Sequence, residues 1–387
     1  MACLLAWCWA KPALGEPYIP VSDAQVLERL PFRPNDPLVR EMARLRQELR
    51  HDPHNEDLAV RLARRYYSLV AQEGDPRYLG YAQAALTPWW DMPVPPIEVQ
   101  VLRASLRQFR HDFGGALTDL EQVLQRSPAH VQARILRATI HIVQARYADA
   151  KVDCKALHGF AGQLLAIGCE QTVEGLTGNA AGAYRILREA LSAYPKATAD
   201  AKLWASVRLA ELAQRLGRAE TAEMHFRQGL SLGITDTFLF AAYADFLLDQ
   251  QRPAEVVELL KNKARSDNLL LRLVLAERKL NLPEAMAKQT ALAARYAAAQ
   301  LRGDTVHQQE EARFALEVQG DPKKALDLAR ENWKVQREPR DARIFLEAAL
   351  AAKEPRAAQP VLEWLERSRI EDRYLRALGA QVKGMRQ

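Results

Sequence analysis

The sequence predicts an all-α fold, a solenoid of about eight or nine helical hairpins stacked on one another. A pattern of a turn followed by an alanine-bearing amphipathic helix recurs along the chain, and a period near 34 residues filled by two helices is typical of helical-repeat proteins. Most steps between the central small residues are 33 to 39 residues, with one of 69, and these residues are Ala116, Ala150, Ala183, Ala222, Val256, Ala325 and Ala358. Alternating runs of Val, Ile and Thr, which would predict strands, are missing.

The first fifteen residues look like the end of a secretory signal peptide. Ten mostly apolar residues open the chain, and small residues bracket a candidate cleavage point near Gly15. The usual positive charge before the apolar run is absent, because Lys11 follows it. The alternative is a frayed helix of a cytoplasmic protein. The run is also too short to span a membrane, which needs about 20 residues. We expect a periplasmic or secreted protein, with a cytoplasmic location as the alternative.

The rest of the chain divides into three parts. Residues 16–52 form a proline-rich lead-in with one predicted helix, Leu38 to Arg50, which we expect to cover the first face of the stack. Residues 53–370 carry the repeats, without a Gly/Ser linker between them. Residues 371–387 predict a C-terminal capping helix, because Leu375, Leu378 and Val382 share one helical face.

The repeats resemble the tetratricopeptide repeat (TPR), a helix–turn–helix unit of about 34 residues. Pairs of alanines 12 residues apart supply the small residues that a helix crossing needs: Ala104 with Ala116, Ala138 with Ala150, and Ala210 with Ala222. Pro128 and Pro195 end second helices, since proline cannot donate a helical hydrogen bond. The resemblance covers residues 53 to 370 and implies a right-handed α-α superhelix. Residues 262–303 fit it poorly.

In this family the first helices line a concave groove that binds a peptide or another protein's helix. Residues at the matching positions, which the resemblance implies to be groove-lining, are Arg64, Tyr67, Ser105, Gln108, Thr139, Glu211, Gln214, Arg215, Asp245 and Asp249. The Lys and Asn that clamp a terminal carboxylate in chaperone-binding members are replaced here, for example by Val101 and Ser105. Aromatic residues at helix starts, Trp204, Phe238 and Phe240, are either groove anchors or core residues.

Two of the four cysteines, Cys154 and Cys169, lie within the repeats. The TPR register places them on neighbouring helices that pack side by side, where a disulfide is geometrically allowed. The alternative is two buried free thiols at helix crossings. Both interpretations stay open, and export favours the disulfide. A zinc site is disfavoured because no CxxC motif is present.

The sequence indicates no enzymatic chemistry. We find no HExxH, GxSxG, Walker-type GK[ST] or GxGxxG motif, so we predict no catalytic, cofactor-binding or metal-ligating residues. The net charge is +6 and the isoelectric point about 9.1, but acidic residues alternate with the basic ones. A phosphate-binding surface should cluster its basic residues, so nucleic-acid binding is less favoured.

These observations predict a non-enzymatic scaffold that binds a peptide or partner protein in the concave groove, at a bacterial cell envelope. The alternatives are a cytoplasmic TPR adaptor or a regulator. The sequence does not identify the partner, because one fold serves many functions.

Overall fold

The computed structural model describes Ser22 and residues 36–385, and every regular element among them is a helix. The predicted signal peptide and most of the lead-in lie outside the described residues. The all-helical architecture of paired, stacked helices confirms the predicted α-α solenoid, which is TPR-like.

Nine hairpins form the described solenoid, each with a first and a second helix that pack together. The first helices are α2 (Glu56–Glu73), α5 (Ile97–Phe109), α7 (Val131–Val143), α9 (Gln163–Leu176), α11 (Ala199–Arg215), α13 (Thr237–Asp249), α15 (Asp267–Lys279), α17 (Gln308–Phe314, continued by the π-helix Ala315–Gln319) and α19 (Pro339–Ala351). The second helices are α3 (Arg77–Ala85), α6 (Phe113–Arg126), α8 (Tyr147–Ala156), α10 (Ala180–Ala193), α12 (Ala219–Ser231), α14 (Pro253–Leu260), α16 (Glu284–Leu301), α18 (Pro322–Val335) and α20 (Gln359–Ser368). Helix α1 (Pro37–His51) precedes them, α4 (Thr87–Trp90) links the first two hairpins, and α21 (Arg373–Gly384) follows the last.

Short polar side chains begin many of the helices. Each accepts a hydrogen bond from the backbone N–H three residues later, as at Asn55, Asp112, Asp236, Ser266 and Asp372. The turn inside each of the nine hairpins holds a residue with positive φ: Gly74, His111, Ala145, Gly178, Gly217, Gln251, Asn281, Gly320 and Lys353. The same turn geometry therefore recurs along the stack and keeps its register.

The predicted helix crossings are closely packed. All six paired alanines, at residues 104 and 116, 138 and 150, and 210 and 222, are at most 1% exposed. A small side chain at each crossing lets the two backbones approach, and burial of the surrounding Leu, Phe and Val side chains then stabilises the hairpin.

The region that fits the repeat poorly, residues 262–303, contains a complete hairpin with an unusually long second helix. Helix α16 has 18 residues, whereas α14 before it has 8. Helices α14 and α18 each pack closely along the first helix of the next hairpin, whereas α16 contacts α17 through side chains, such as the rings of Tyr296 and Phe314, whose centres are 5.5 Å apart. The packing is therefore looser after the seventh hairpin.

The superhelix curves so that later hairpins contact earlier ones. We call hairpins one to five the first turn, hairpins six to nine with α21 the second turn, and the contact between them the seam. Hydrogen bonds that cross the seam include Thr237 Oγ1 to the Ala71 carbonyl (2.9 Å), Arg337 N to the Val143 carbonyl (2.7 Å), Trp364 Nε1 to Tyr147 Oη (3.1 Å) and Ala180 N to Glu371 Oε2 (2.7 Å). Residues far apart in sequence thus fix the curvature of the superhelix.

Candidate protein-interaction face

Ion pairs occupy the inner side of the second turn. The Asp245 carboxylate on α13 accepts hydrogen bonds from Arg272 Nη2 on α15 (2.7 Å) and from Arg313 on α17. Burial alone raises the pKa of Asp245, but the two guanidinium groups outweigh it and hold this pKa well below its usual range. The three first helices are therefore joined by a charged cluster that contains its own counter-ions.

A second cluster joins helices that are farther apart. Both Nη atoms of Arg343 on α19 donate to the Asp249 carboxylate on α13, each at 2.8 Å. Gln214 Nε2 donates to the same carboxylate at 3.3 Å. The Arg343 guanidinium also lies 4.3 Å from the centre of the Tyr374 ring on α21. Groups from four helices thus meet in one cluster.

The fifth hairpin continues this pattern. Arg208 and Glu211 on α11 form an ion pair of 3.0 Å, and Arg215 Nη1 donates to the Gly175 carbonyl at 3.2 Å. Burial lowers the pKa of Arg215. Glu211, Gln214, Arg215, Asp245 and Asp249, five of the predicted groove-lining residues, therefore bond within the chain. Their contact with a partner stays a prediction.

A polar cluster lies where the seam meets the second hairpin. Gln336 Nε2 lies 3.2 Å from His111 Nε2. Because the amide nitrogen only donates, this ring nitrogen accepts and the imidazole is neutral. Burial lowers the pKa of His111 to about 4. The charged or titratable groups that act on the ring are Glu310, Arg340, His307 and Glu338.

The inner side of the first turn is more open at its second and third helices. Arg64 on α2 donates to the Glu98 carboxylate on α5, and His130 Nε2 lies 3.2 Å from the same carboxylate. Thr139 is exposed and Ile135, one helical turn before it, is half-buried. We call this surface the first-turn face and define it by Arg64, Glu98, His130, Ile135, Thr139 and Trp204. A shallow cleft of about 450 Å³ at one end is lined by Glu56, Asp57, Val60, Arg61, Arg64 and Glu98.

Three other predicted groove-lining residues lie deeper. Ser105 is 3% exposed and its Oγ donates to the Val101 carbonyl at 3.0 Å. Tyr67 and Gln108 are half-buried, and burial raises the pKa of Tyr67. Among the ten predicted residues, Arg64 and Thr139 are the exposed ones, and the other eight are half-buried or buried.

The three aromatic residues at helix starts are largely used within the fold. The Trp204 ring packs directly against Gly168 of the preceding hairpin, where a Cβ atom would collide with it. Phe238 has the guanidinium of Arg208 at 4.8 Å and Phe240 has the Lys263 ammonium at 4.1 Å from its ring centre. Trp204 remains partly accessible, so it contributes to both the core and the first-turn face.

Sequence reasoning missed Glu98 and His130, although the repeat contains a signal for Glu98. Arg64 and Glu98 are 34 residues apart because they lie on neighbouring first helices, Arg64 in the middle of α2 and Glu98 in the first turn of α5. Gln214 and Asp249 are 35 residues apart for the same reason. Opposite charges or polar groups at one-repeat spacing therefore indicate contacts along the groove.

A disulfide joins Cys154 on α8 to Cys169 on α9, with the Cα atoms 5.3 Å apart. Both residues are buried, at 0% and 5% exposure. Cys169 directly follows Gly168, so the crosslink and the Trp204 contact are at neighbouring positions of α9.

Among the described residues, no group of three or more His, Cys, Asp or Glu side chains is arranged to hold a metal ion. Within the same part of the chain, no helix combines the length and apolarity that crossing a membrane requires.

Comparison with known proteins gives remote structural similarities. No protein-family profile matches the chain, and no curated protein matches its sequence. A tetratricopeptide repeat protein from Parabacteroides merdae is 20% identical, with a TM-score of 0.46 over 61% of this chain and 92% of that one. Yeast Tom70 is 10% identical, with a TM-score of 0.34 over 90% and 96% of the two chains. The TPR domain of P58(IPK) is 14% identical, with a TM-score of 0.22 over 89% and 97%. These scores are low, so the fold assignment depends on the helix pairing described above.

Proposed function

We propose that the protein is a non-enzymatic scaffold that binds a peptide or a helix of a partner protein on the first-turn face. The observation that carries the proposal is the contrast between the two turns. In the fifth hairpin and the second turn the charged groups of the first helices bond to each other, whereas Arg64, Thr139 and part of Trp204 remain accessible on the first-turn face. A concave surface of stacked helices is a common place for such binding in repeat proteins.

The composition of the first-turn face favours a partner segment of mixed polarity. Ile135 and Trp204 offer apolar area, and aromatic side chains carry much of the energy at interfaces. Arg64 and Glu98 already pair with each other, so they provide orientation at the rim and little net affinity. We therefore expect an amphipathic segment whose apolar side chains contact α7 and α11.

The test uses two threonines in matched environments. Thr139 and Thr118 are both exposed, and each hydroxyl donates to the carbonyl four residues earlier, at 2.9 and 3.1 Å. Thr118 lies on α6, away from the first-turn face. Partners captured by the full chain and identified by mass spectrometry should be lost with Thr139→Arg and kept with Thr118→Arg. Equal capture by both variants contradicts the proposed surface.

We further propose that the protein acts outside the cytoplasm, at a bacterial cell envelope. The apolar opening of the chain and the disulfide between Cys154 and Cys169 support this location, because structural disulfides persist in oxidising compartments. Protease added to intact cells with a permeabilised outer membrane should digest the protein and spare a cytoplasmic marker. Protection equal to that of the marker favours the cytoplasmic adaptor instead.

A further inference from the structure

Helix α16 has an exposed face that is almost free of charge. Leu301 is 91% exposed and Met286 is 64% exposed. Five more exposed, uncharged residues lie along this face, namely Ala287, Thr290, Ala291, Ala294 and Ala297. The opposite face is also apolar, since Leu292 and Tyr296 are buried in the core. A helix that is apolar on both faces is normally covered on both.

The next hairpin covers a different side of α16 and leaves this face uncovered. The Tyr296 ring packs against Phe314 on α17, with the ring centres 5.5 Å apart, and Gln300 donates a hydrogen bond to Glu311. The charged side chains beside this face form ion pairs within the protein. Lys288 Nζ donates to Glu277 at 2.5 Å, and Arg295 Nη1 donates to Asp267 at 2.7 Å. What remains is a narrow apolar strip about 27 Å long, from 18 residues at 1.5 Å each.

The residues along the strip fit a second copy of the same helix. Positions 287, 290, 291, 294, 297, 298 and 301 share one face at helical spacing, and they are symmetric about Ala294. In an antiparallel pair, Ala294 meets its own copy and Ala287 meets Leu301. Small side chains at the centre let two helices approach closely, and antiparallel helix dipoles attract each other.

Two unpaired charges at the ends of α16 support the same arrangement. Glu284 and Arg302 are both exposed, and neither forms an ion pair with another described residue. They lie on the same edge of the strip, one at each end of the helix. A two-fold axis through Ala294 brings Glu284 of one copy beside Arg302 of the other, twice. Arg295 lies on this edge too, but Asp267 neutralises it.

We infer that the protein forms a two-fold symmetric homodimer through antiparallel pairing of α16. A contact one helix wide buries less than the ~1,200 Å² of a standard stable interface. The dimer should therefore dissociate on dilution. It leaves the first-turn face free, so it is independent of the proposed binding function.

The test measures the molar mass of the full chain by sedimentation equilibrium over a concentration series. We expect a monomer–dimer equilibrium for the wild type and a monomer at all concentrations for Ala294→Glu, which places two charges on the symmetry axis. The matched control is Ala377→Glu, an exposed alanine in the middle of α21, which should behave like the wild type. A wild type that is monomeric throughout, or an Ala294→Glu variant that still dimerises, overturns the inference.

Charge reversal tests the orientation. Glu284→Arg and Arg302→Glu should each weaken the dimer, because each places like charges together. The double variant should restore it to near the wild-type affinity. Failure of the double variant to recover, with both single variants weakened, overturns the antiparallel arrangement.

Discussion

Single small residues determine whether the helices of this solenoid can cross. Ala150 has no exposed surface and lies at the crossing of α7 and α8, whereas Ala148, two residues earlier on the same helix, is exposed. The two positions have the same residue and helix, so they separate the effect of packing from that of helix propensity.

We predict that Ala150→Leu lowers the free energy of unfolding by ~1–3 kcal/mol, because the added side chain overpacks the crossing. Ala148→Leu should change it by less than ~0.5 kcal/mol. Urea unfolding followed by circular dichroism measures both. Similar losses of unfolding free energy in the two variants would show that Ala150 is not at the crossing of α7 and α8.

The neutral form of His111 links the second hairpin to the second turn, through its contact with Gln336. The pKa of His111 in the folded protein is about 4, below the ~6.5 of an unfolded chain. Between these values the unfolded state binds a proton that the folded state does not. The contribution of the neutral His111 to the free energy of unfolding is therefore fully present above pH 6.5 and is lost as the pH falls towards 4.

We predict that His111→Asn removes ~1–3 kcal/mol of the stability change between pH 7 and pH 4. Asparagine tolerates the positive φ of 60° at this turn. His51→Asn, at an exposed position, is the control and should keep the wild-type profile. A pH profile unchanged by His111→Asn would show that this histidine is accessible to protons in the folded state.

At the scale of elements, the disulfide holds two hairpins together. It joins the second helix of the third hairpin to the first helix of the fourth, across 15 residues. These helices also pack through Leu157, Ala166 and Val173, so the crosslink adds to an apolar contact.

We predict that replacing both cysteines by alanine costs about 3 kcal/mol of unfolding free energy, from the chain-entropy estimate for a loop of this length. The wild type should lose a similar amount when a reductant is added, and the double variant should not respond to it. A wild type that is insensitive to reductant, with both thiols free to react with an alkylating agent after denaturation, contradicts the disulfide.

At the scale of the whole molecule, the sequence predicts the repeats better than their arrangement. The paired alanines and the 34-residue period identify the hairpins because these signals are local to one repeat. Pairs on neighbouring first helices at about one-repeat spacing, such as Arg64 with Glu98, are also recognisable from the chain. The pairing of Asp249 with Arg343 spans 94 residues and depends on the accumulated curvature of several hairpins, which no short pattern encodes.

This curvature has a consequence for function. The groove predicted along all first helices is divided, since the second turn fills its interior with its own ion pairs and the first turn keeps an accessible face. The central claim is therefore that Asp249 and Arg343 are bonded to each other across the superhelix in solution.

A double-mutant cycle with Asp249→Ala, Arg343→Ala and the double variant tests this claim most directly. The cycle isolates the pairwise energy from the cost of leaving one charge without its partner. A bidentate, partly buried pair should give a coupling energy of ~1–3 kcal/mol. A coupling energy near zero, with additive losses in the two single variants, would contradict the closed superhelix.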